Sequence, residues 1–327
     1  MAVMTYLEAI RETLRQELRR DDRIIVYGED VGVRGGVFRV TEGLQAEFGE
    51  QRVIDSPLAE AAIIGTAIGA AVNGLRPVPE IQFSDFIFPA INQIVQEAAR
   101  IRYRSNGTFG VPMVIRAPFG GGVHGALYHS QSVEAFFAHV PGLKVVIPST
   151  PYDAKGLLAA AIQDEDPVLY FEHKAAYRSL KGDVPDERYL IPIGKADLKR
   201  PGKHVSIITY GLMVSYALKA AETLDKEGIS VEILDLRSIR PLDVEAILDT
   251  AKKTGKVLMV HEDNLTGGIG GEVSALIAEH ALFYLDAPIV RLAGPDVPAM
   301  PYSPPLEHAF MVTPEKITEA ARKLAKF

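Results

Sequence analysis

Leu7-Glu-Ala-Ile-Arg-Glu-Thr-Leu-Arg-Gln-Glu-Leu-Arg-Arg-Asp-Asp-Arg-Ile-Ile-Val-Tyr-Gly28 is the stretch on which the fold turns. Leu7, Ile10, Leu14 and Leu18 recur at helical spacing, and the apolar run Ile24 to Tyr27 then stops at Gly28. The segment therefore reads as a helix followed by a buried strand. The same alternation continues outward. Short apolar runs at Val78–Ile81, Met113–Ile115, Lys144–Ile147 and Val168–Phe171 predict strands, and Ala59–Val72, Ile91–Arg102 and Ala154–Ile162 predict helices between them. Helix-length spacers between buried strands imply crossover connections and a mostly parallel sheet covered on both faces.

The rhythm breaks between about Lys174 and Lys203, where Lys, Arg, Gly, Pro and Asp dominate, and then restarts. Strands are predicted at Val205–Thr209, Val231–Leu234, Val257–Val260 and Ile289–Leu292, with a last helix from Pro314 to Lys326. The expected class is α/β with two doubly wound domains of unequal size: residues 1–185, a linker at 186–203, and residues 204–327. The Pro-rich stretch from Gly294 to Pro314 shows little periodicity and reads as an ordered loop.

At 327 residues the chain is long enough for two cores, and 47% hydrophobic with 24% charged residues is the composition of a globular protein. A net charge of −7, with no long basic run, argues against nucleic acid as a partner. The absence of cysteine removes disulfides, thiolate metal ligands and thiol nucleophiles, and it suits a reducing compartment, so a cytoplasmic location is expected. No apolar run has transmembrane length, and no membrane association is expected.

Ser56-Pro-Leu-Ala-Glu-Ala-Ala-Ile-Ile-Gly-Thr-Ala-Ile-Gly-Ala-Ala-Val72 contains a single ionisable side chain, Glu60. One reading makes it a helix-start acid favoured by the macrodipole, with Ser56 as cap and Pro57 at the first helical position. A capping box would need its acid at Ala59, one residue earlier. The other reading is a desolvated carboxyl that holds or donates a proton near neutrality. Gly120-Gly-Gly-Val-His-Gly-Ala-Leu-Tyr-His-Ser-Gln-Ser132 follows a strand, where open parallel sheets place ligand sites, and offers His124 and His129 as acid–base candidates. It lacks the Lys-Ser/Thr ending and the adjoining helix of a phosphate loop. Glu29 and Asp30 at another strand end either serve a site or cap a loop. Gly267-Gly-Ile-Gly-Gly271 reads as a helix-entry turn.

Tyr27-Gly-Glu-Asp-Val31, Arg34-Gly-Gly-Val-Phe38, Thr41-Glu-Gly-Leu44, Asp55-Ser-Pro-Leu-Ala-Glu60, Glu80-Ile-Gln-Phe83 and Tyr128-His-Ser-Gln-Ser132 occur together and in order. Pro141-Gly-Leu-Lys-Val-Val-Ile-Pro148 and Pro151-Tyr-Asp-Ala-Lys-Gly-Leu-Leu158 extend the series. With these motifs the chain resembles, over essentially its whole length, the beta subunit of the decarboxylase component of thiamine-diphosphate-dependent 2-oxo acid dehydrogenases.

The resemblance implies a transketolase-like pyrimidine-binding domain followed by a transketolase C-terminal domain. It implies that Glu60 bonds a pyrimidine ring nitrogen of thiamine diphosphate and so promotes loss of the thiazolium proton. Glu29, Leu58, Gln82 and Phe86 are expected around the same ring, Phe86 standing where many relatives have Tyr. His129 is expected to assist proton transfer or orient intermediates. A potassium site is expected at Ala161, Asp164 and Asp166.

A complete thiamine enzyme also carries a Gly-Asp-Gly motif and a downstream Asn that hold magnesium on the diphosphate, and no Gly-Asp-Gly occurs here. The resemblance thus implies an alpha subunit that holds Mg2+ and diphosphate, an alpha-two beta-two heterotetramer, and docking on a lipoyl acyltransferase. His124 to Ser132, followed by Glu134-Ala-Phe-Phe137, is similar to the branched-chain members, which act on 3-methyl-2-oxobutanoate. A pyruvate-specific subunit is the alternative. A self-sufficient thiamine transferase is disfavoured by the missing motif, and a noncatalytic scaffold by Glu60 and His129.

Overall fold

The computed structural model describes Met1 to Phe327. The chain divides into two units, Met1–Phe119 with Phe136–Ile193, and Gly120–Ala135 with Gly194–Phe327. No helix is long and apolar enough to cross a membrane.

The first helix spans Tyr6–Arg20, and a capping box starts it: Thr5 Oγ1 accepts from Glu8 N at 3.2 Å, and Glu8 Oε2 accepts from Thr5 N at 2.7 Å. Leu7, Ile10, Leu14 and Leu18 share one buried face, which packs on the helix Pro151–Gln163. Burying each such side chain contributes about 1.5–3 kcal/mol. The strand Ile24–Gly28 follows, buried along nearly its whole length.

In the first unit the parallel strands lie side by side in the order Lys144–Val146, Val168–His173, Val114–Phe119, Arg76–Glu80, Ile24–Gly28, Val53–Asp55. The register sets Gly28 beside Glu80 on one flank and beside Asp55 on the other, so three neighbouring strands end level. The short strand Val53–Asp55 escapes sequence reading because three residues show no period. An antiparallel pair, Ala2–Thr5 with Lys181–Val184, adds a separate ribbon.

The predicted helix Ile91–Arg102 is not one regular helix. A 3-10 segment at Ser84–Ala90 contains Pro89, a π-helical turn covers Gln93–Ala98, and a short α-helix runs Ile101–Arg104. Such widened turns mark places where local packing overrides regular winding.

In the second unit the strands run in the order Val290–Gly294, Val257–Asn264, Val205–Thr209, Val231–Asp235, Asp197–Arg200. All are parallel except Asp197–Arg200, which pairs antiparallel at the edge. Two expectations are corrected here. Residues 186–203, expected as a linker, contain that edge strand, and the Pro-rich stretch after Gly294, expected as a loop, contains the helix Pro304–Phe310. Two prolines at its start hide the helix from a periodicity test, although Pro is well suited to a first helical turn.

Candidate active site

Five of the expected site residues follow the three level strand ends of the first unit. Glu29 comes directly after Ile24–Gly28, Leu58 and Glu60 after Val53–Asp55, and Gln82 and Phe86 after Arg76–Glu80. In open parallel sheets the carboxyl ends of the strands are where ligands bind, because there the loops diverge around a crevice. The topology thus gathers residues that lie more than fifty positions apart in sequence.

Local bonds fix two of these three loops. Gly32 N donates to Asp55 Oδ1 at 2.6 Å, tying the loop after Gly28 to the neighbouring strand end. A Cβ at Gly32 would come within 2.4 Å of Asp55 Oδ2 and would also crowd Gln45, so a larger residue there would have to displace those two side chains. Tyr27 reaches across from its strand to Ile63 O and to Thr66 Oγ1, the latter at 2.8 Å, which pins the helix Glu60–Val72 against the sheet.

That helix begins at Glu60 and not at Pro57. Ser56 does not cap it, since its Oγ donates instead to Pro57 O at 2.8 Å, and the N-cap Ala59 has no side-chain bond to give. Glu60 is therefore a first-turn acid favoured by the helix dipole, half-exposed, with no ion pair within the chain. Its neighbour Glu29 is held above the usual carboxylate range by partial burial and by the charges of Asp30 and Glu60. Leu58 is 70% exposed, and the Phe86 ring meets Phe83 edge-on at 5.8 Å. An apolar socket around Glu60 is thus only begun by this chain. The donor set fits one side of an aminopyrimidine: a carboxyl, an amide, an aromatic ring and an aliphatic wall. No group of three or more His, Cys, Asp or Glu side chains is arranged to hold a metal ion.

Two family descriptions match the chain: the pyrimidine-binding domain of transketolase over residues 2–179 and the transketolase C-terminal domain over residues 194–317. The 2-oxoisovalerate dehydrogenase subunit beta of Bacillus subtilis (strain 168) is 62% identical over 327 residues, covering 100% of both chains. The chain belongs to the family of 2-oxo acid dehydrogenase beta subunits. Another member, the pyruvate dehydrogenase E1 component subunit beta of the same organism, is 50% identical over 100% of both chains. Among solved structures, a split-gene transketolase described as an inactive beta4 tetramer superposes with a TM-score of 0.81 at 22% identity, covering 99% of this chain and 98% of that one. That likeness supports the fold.

In this beta-subunit chain His129 lies in the second unit, half-buried just after the 3-10 turn Ala126–Tyr128. Its loop borders a cleft of about 490 Å³ whose lining includes Ser130, Ser132, Glu262, Asn264 and Thr266.

Ala161, Asp164 and Asp166 sit at the other end of the first sheet, in the turn that enters Val168–His173. Fixed cations already hold that turn. Lys144 Nζ bonds both Asp164 carboxylate oxygens at 2.6 and 2.5 Å, Arg102 pairs with Asp166, and Arg76 Nη1 donates to the carbonyls of Ile162 and Asp164 at 3.0 and 3.1 Å. Each of these cations is matched by a carboxylate of the turn, Asp164, Glu165 or Asp166, and the expected potassium site would draw mainly on backbone carbonyls there.

Sequence reading missed two acid groups. Arg116, fully buried, bonds Glu80 Oε2 at 2.6 Å and Glu172 at 2.6 and 2.8 Å, and Tyr177 donates to Glu172 Oε2 at 2.6 Å. In the second unit, buried Glu134 accepts from Tyr210 at 2.9 Å. Burial, reinforced by Asp263 and Glu262, pushes its carboxyl well above the usual range. Burial likewise raises Asp263 to about 6. Glu262 and Asp263 form an acidic pair near a strand's carboxyl end, the same signal that singled out Glu29 and Asp30.

Proposed function

We propose that this chain is the beta half of a decarboxylase component that, with an alpha subunit, oxidatively decarboxylates branched-chain 2-oxo acids such as 3-methyl-2-oxobutanoate and passes the acyl group to a lipoyl acyltransferase. The observation that carries the reading is the gathering of Glu29, Leu58, Glu60, Gln82 and Phe86 at three level strand ends in a chain 62% identical to a 2-oxoisovalerate dehydrogenase beta subunit.

Thiamine diphosphate, when bound, supplies a carbon nucleophile able to take up the electrons of the departing carboxylate. Glu60 would hydrogen-bond a ring nitrogen of the pyrimidine, in a socket that the alpha subunit would complete. Phe86 offers its ring face, and lacks the hydroxyl of a tyrosine. Gln82 and Glu29 supply polar contacts at the ring's rim, and Leu58 excludes water. His129 moves or holds a proton on the substrate side. Magnesium and the diphosphate are held by the alpha subunit in an alpha-two beta-two assembly.

A pyruvate-specific subunit is the second reading, favoured by the 50% identity to a pyruvate dehydrogenase beta subunit. Leu127 and Tyr128, exposed in the loop before His129, are large groups that would gain about 0.8 kcal/mol for each methyl-sized group they bury. Two extra methyl groups then favour the branched acid roughly ten-fold in kcat/KM. Competition between 3-methyl-2-oxobutanoate and pyruvate in one assay of the reconstituted enzyme measures the ratio. A ratio at or below one would replace the branched-chain reading by the pyruvate one.

A further inference from the structure

The loop that carries His129 has a strained backbone and unusual anchors. His124 and Ala126 adopt left-handed φ values of 55° and 56°, next to Gly120 and Gly122 at 84° and 80°. Residues with a Cβ hold such angles only where their surroundings over-determine them. Here the restraint is anionic. Gly122 N and His124 N both donate to Glu307 Oε1, at 3.0 and 3.1 Å, and Glu307 Oε2 lies 2.5 Å from His124 Nδ1. Gly121 N donates to Glu262 Oε1. At the far end Gly120 N closes on Gln131 O at 3.1 Å. Glu307 is 2% exposed and Glu262 6%, so neither carboxylate is there to meet solvent. The amides of Gly122 and His124 converge on one carboxylate and that of Gly121 meets a second, so the loop forms an anion receptor whose anions are the chain's own side chains.

We propose that Glu307, seconded by Glu262, is a positioning residue of the reaction: it fixes the backbone conformation that aims His129. Glu307 belongs to the helix Pro304–Phe310, and Glu262 to the strand Val257–Asn264. Both lie in the same unit as the loop. One oxygen of Glu307 takes both backbone amides while the other takes the His124 ring, so the two contacts can be separated chemically. The inference rests on the reading that His129 acts on bound substrate.

The assembled alpha–beta enzyme, loaded with thiamine diphosphate and magnesium, tests it in four variants. Glu307→Ala removes both contacts and is expected to lower kcat at least ten-fold, with little change in cofactor affinity. Glu307→Gln keeps an oxygen for both amides and should retain most of kcat. Glu307→Asp draws the carboxylate back by one methylene and should fall between them. Ring signals of isotope-labelled histidine, with that of His129 identified by its loss in His129→Ala, should move or broaden in the Asp and Ala variants and stay put in the Gln variant. If Ala does not fold, the Asp and Gln pair carries the same comparison. Wild-type kcat and an unmoved His129 signal in Glu307→Asp would overturn the proposal, as would equal damage from Gln and Asp. Full turnover by His129→Ala would defeat the reading of His129 itself, and the ring signals would still report whether Glu307 holds the loop.

Discussion

Glu60 and Glu80 stand near the level ends of two strands that flank Ile24–Gly28 in one sheet, and they are opposites. Glu80 is 3% exposed and meets a guanidinium that also holds Glu172. Glu60 is half-exposed, at an uncapped helix start, and has no ion pair. A buried carboxylate whose partners are present belongs to the fold, because losing them costs several kcal/mol. A carboxyl held in place by its helix but left without partners is available to a ligand. Burial and the count of satisfied oxygens both separate the two, and the second says which is open to a ligand.

The contrast is broken most directly at Glu60. Glu60→Gln in the assembled enzyme is expected to reduce turnover by about a hundred-fold or more, the usual range for a lost proton-transfer group. Its thermal midpoint should change little, since no internal bond is lost and only the charge's interaction with the helix dipole goes. Exchange of the thiazolium proton, followed by NMR, should slow with turnover, and exchange at the wild-type rate would remove Glu60 from the chemistry.

At Glu80 the same logic predicts the reverse. Arg116→Met strips the shared cation from two buried carboxylates, leaving Tyr177 as a donor to one of them, and should destabilise the protein by about 3–5 kcal/mol. Denaturant unfolding of the purified chain measures the loss. Unchanged stability, with turnover instead abolished in enzyme that still assembles, would move this cluster from the fold to the site.

How far such differences can be read from sequence depends on their range. Val205–Thr209 is predicted and found with the same bounds, because an apolar run with clear stops is a local signal. Glu60 stands out as the one charge in an apolar helix. The pairing of Glu80, Arg116 and Glu172 is invisible, since it joins three strands and follows from their spatial order. Glu307 is hidden twice, by its Pro-rich surroundings and by partners that are backbone amides about 180 residues away, positions 183 and 185 apart in the chain. The helix Pro151–Gln163 is legible, but the cations that fill the turn after it come from Arg76, Arg102 and Lys144, and no motif announces them.

The smallest expected effect extends the comparison to acids that are buried yet lack a cation. Asp263, most of it buried, is raised from its ordinary value of 3.8 to about 6, first by desolvation and further by Glu262, against the bonds from the amides of Asn264 and Ala135. Glu134 beside it moves in the same direction. In the unfolded chain Asp263 loses its proton near pH 4, whereas in the folded chain it keeps the proton to about pH 6. Over that window the folded state binds more protons, so this group's contribution to stability falls as pH rises and levels off above it. Asp21 runs the other way: bonds from Arg23 hold it at about 2, and its contribution is lost as pH falls from near 4 toward 2. Replacing Asp263 by Asn removes only the first slope. Thermal midpoints of wild type and Asp263→Asn should therefore separate between about pH 4 and pH 6, with the variant declining less, and run parallel above. Parallel curves through the whole window would mean that Asp263 is ionised when folded.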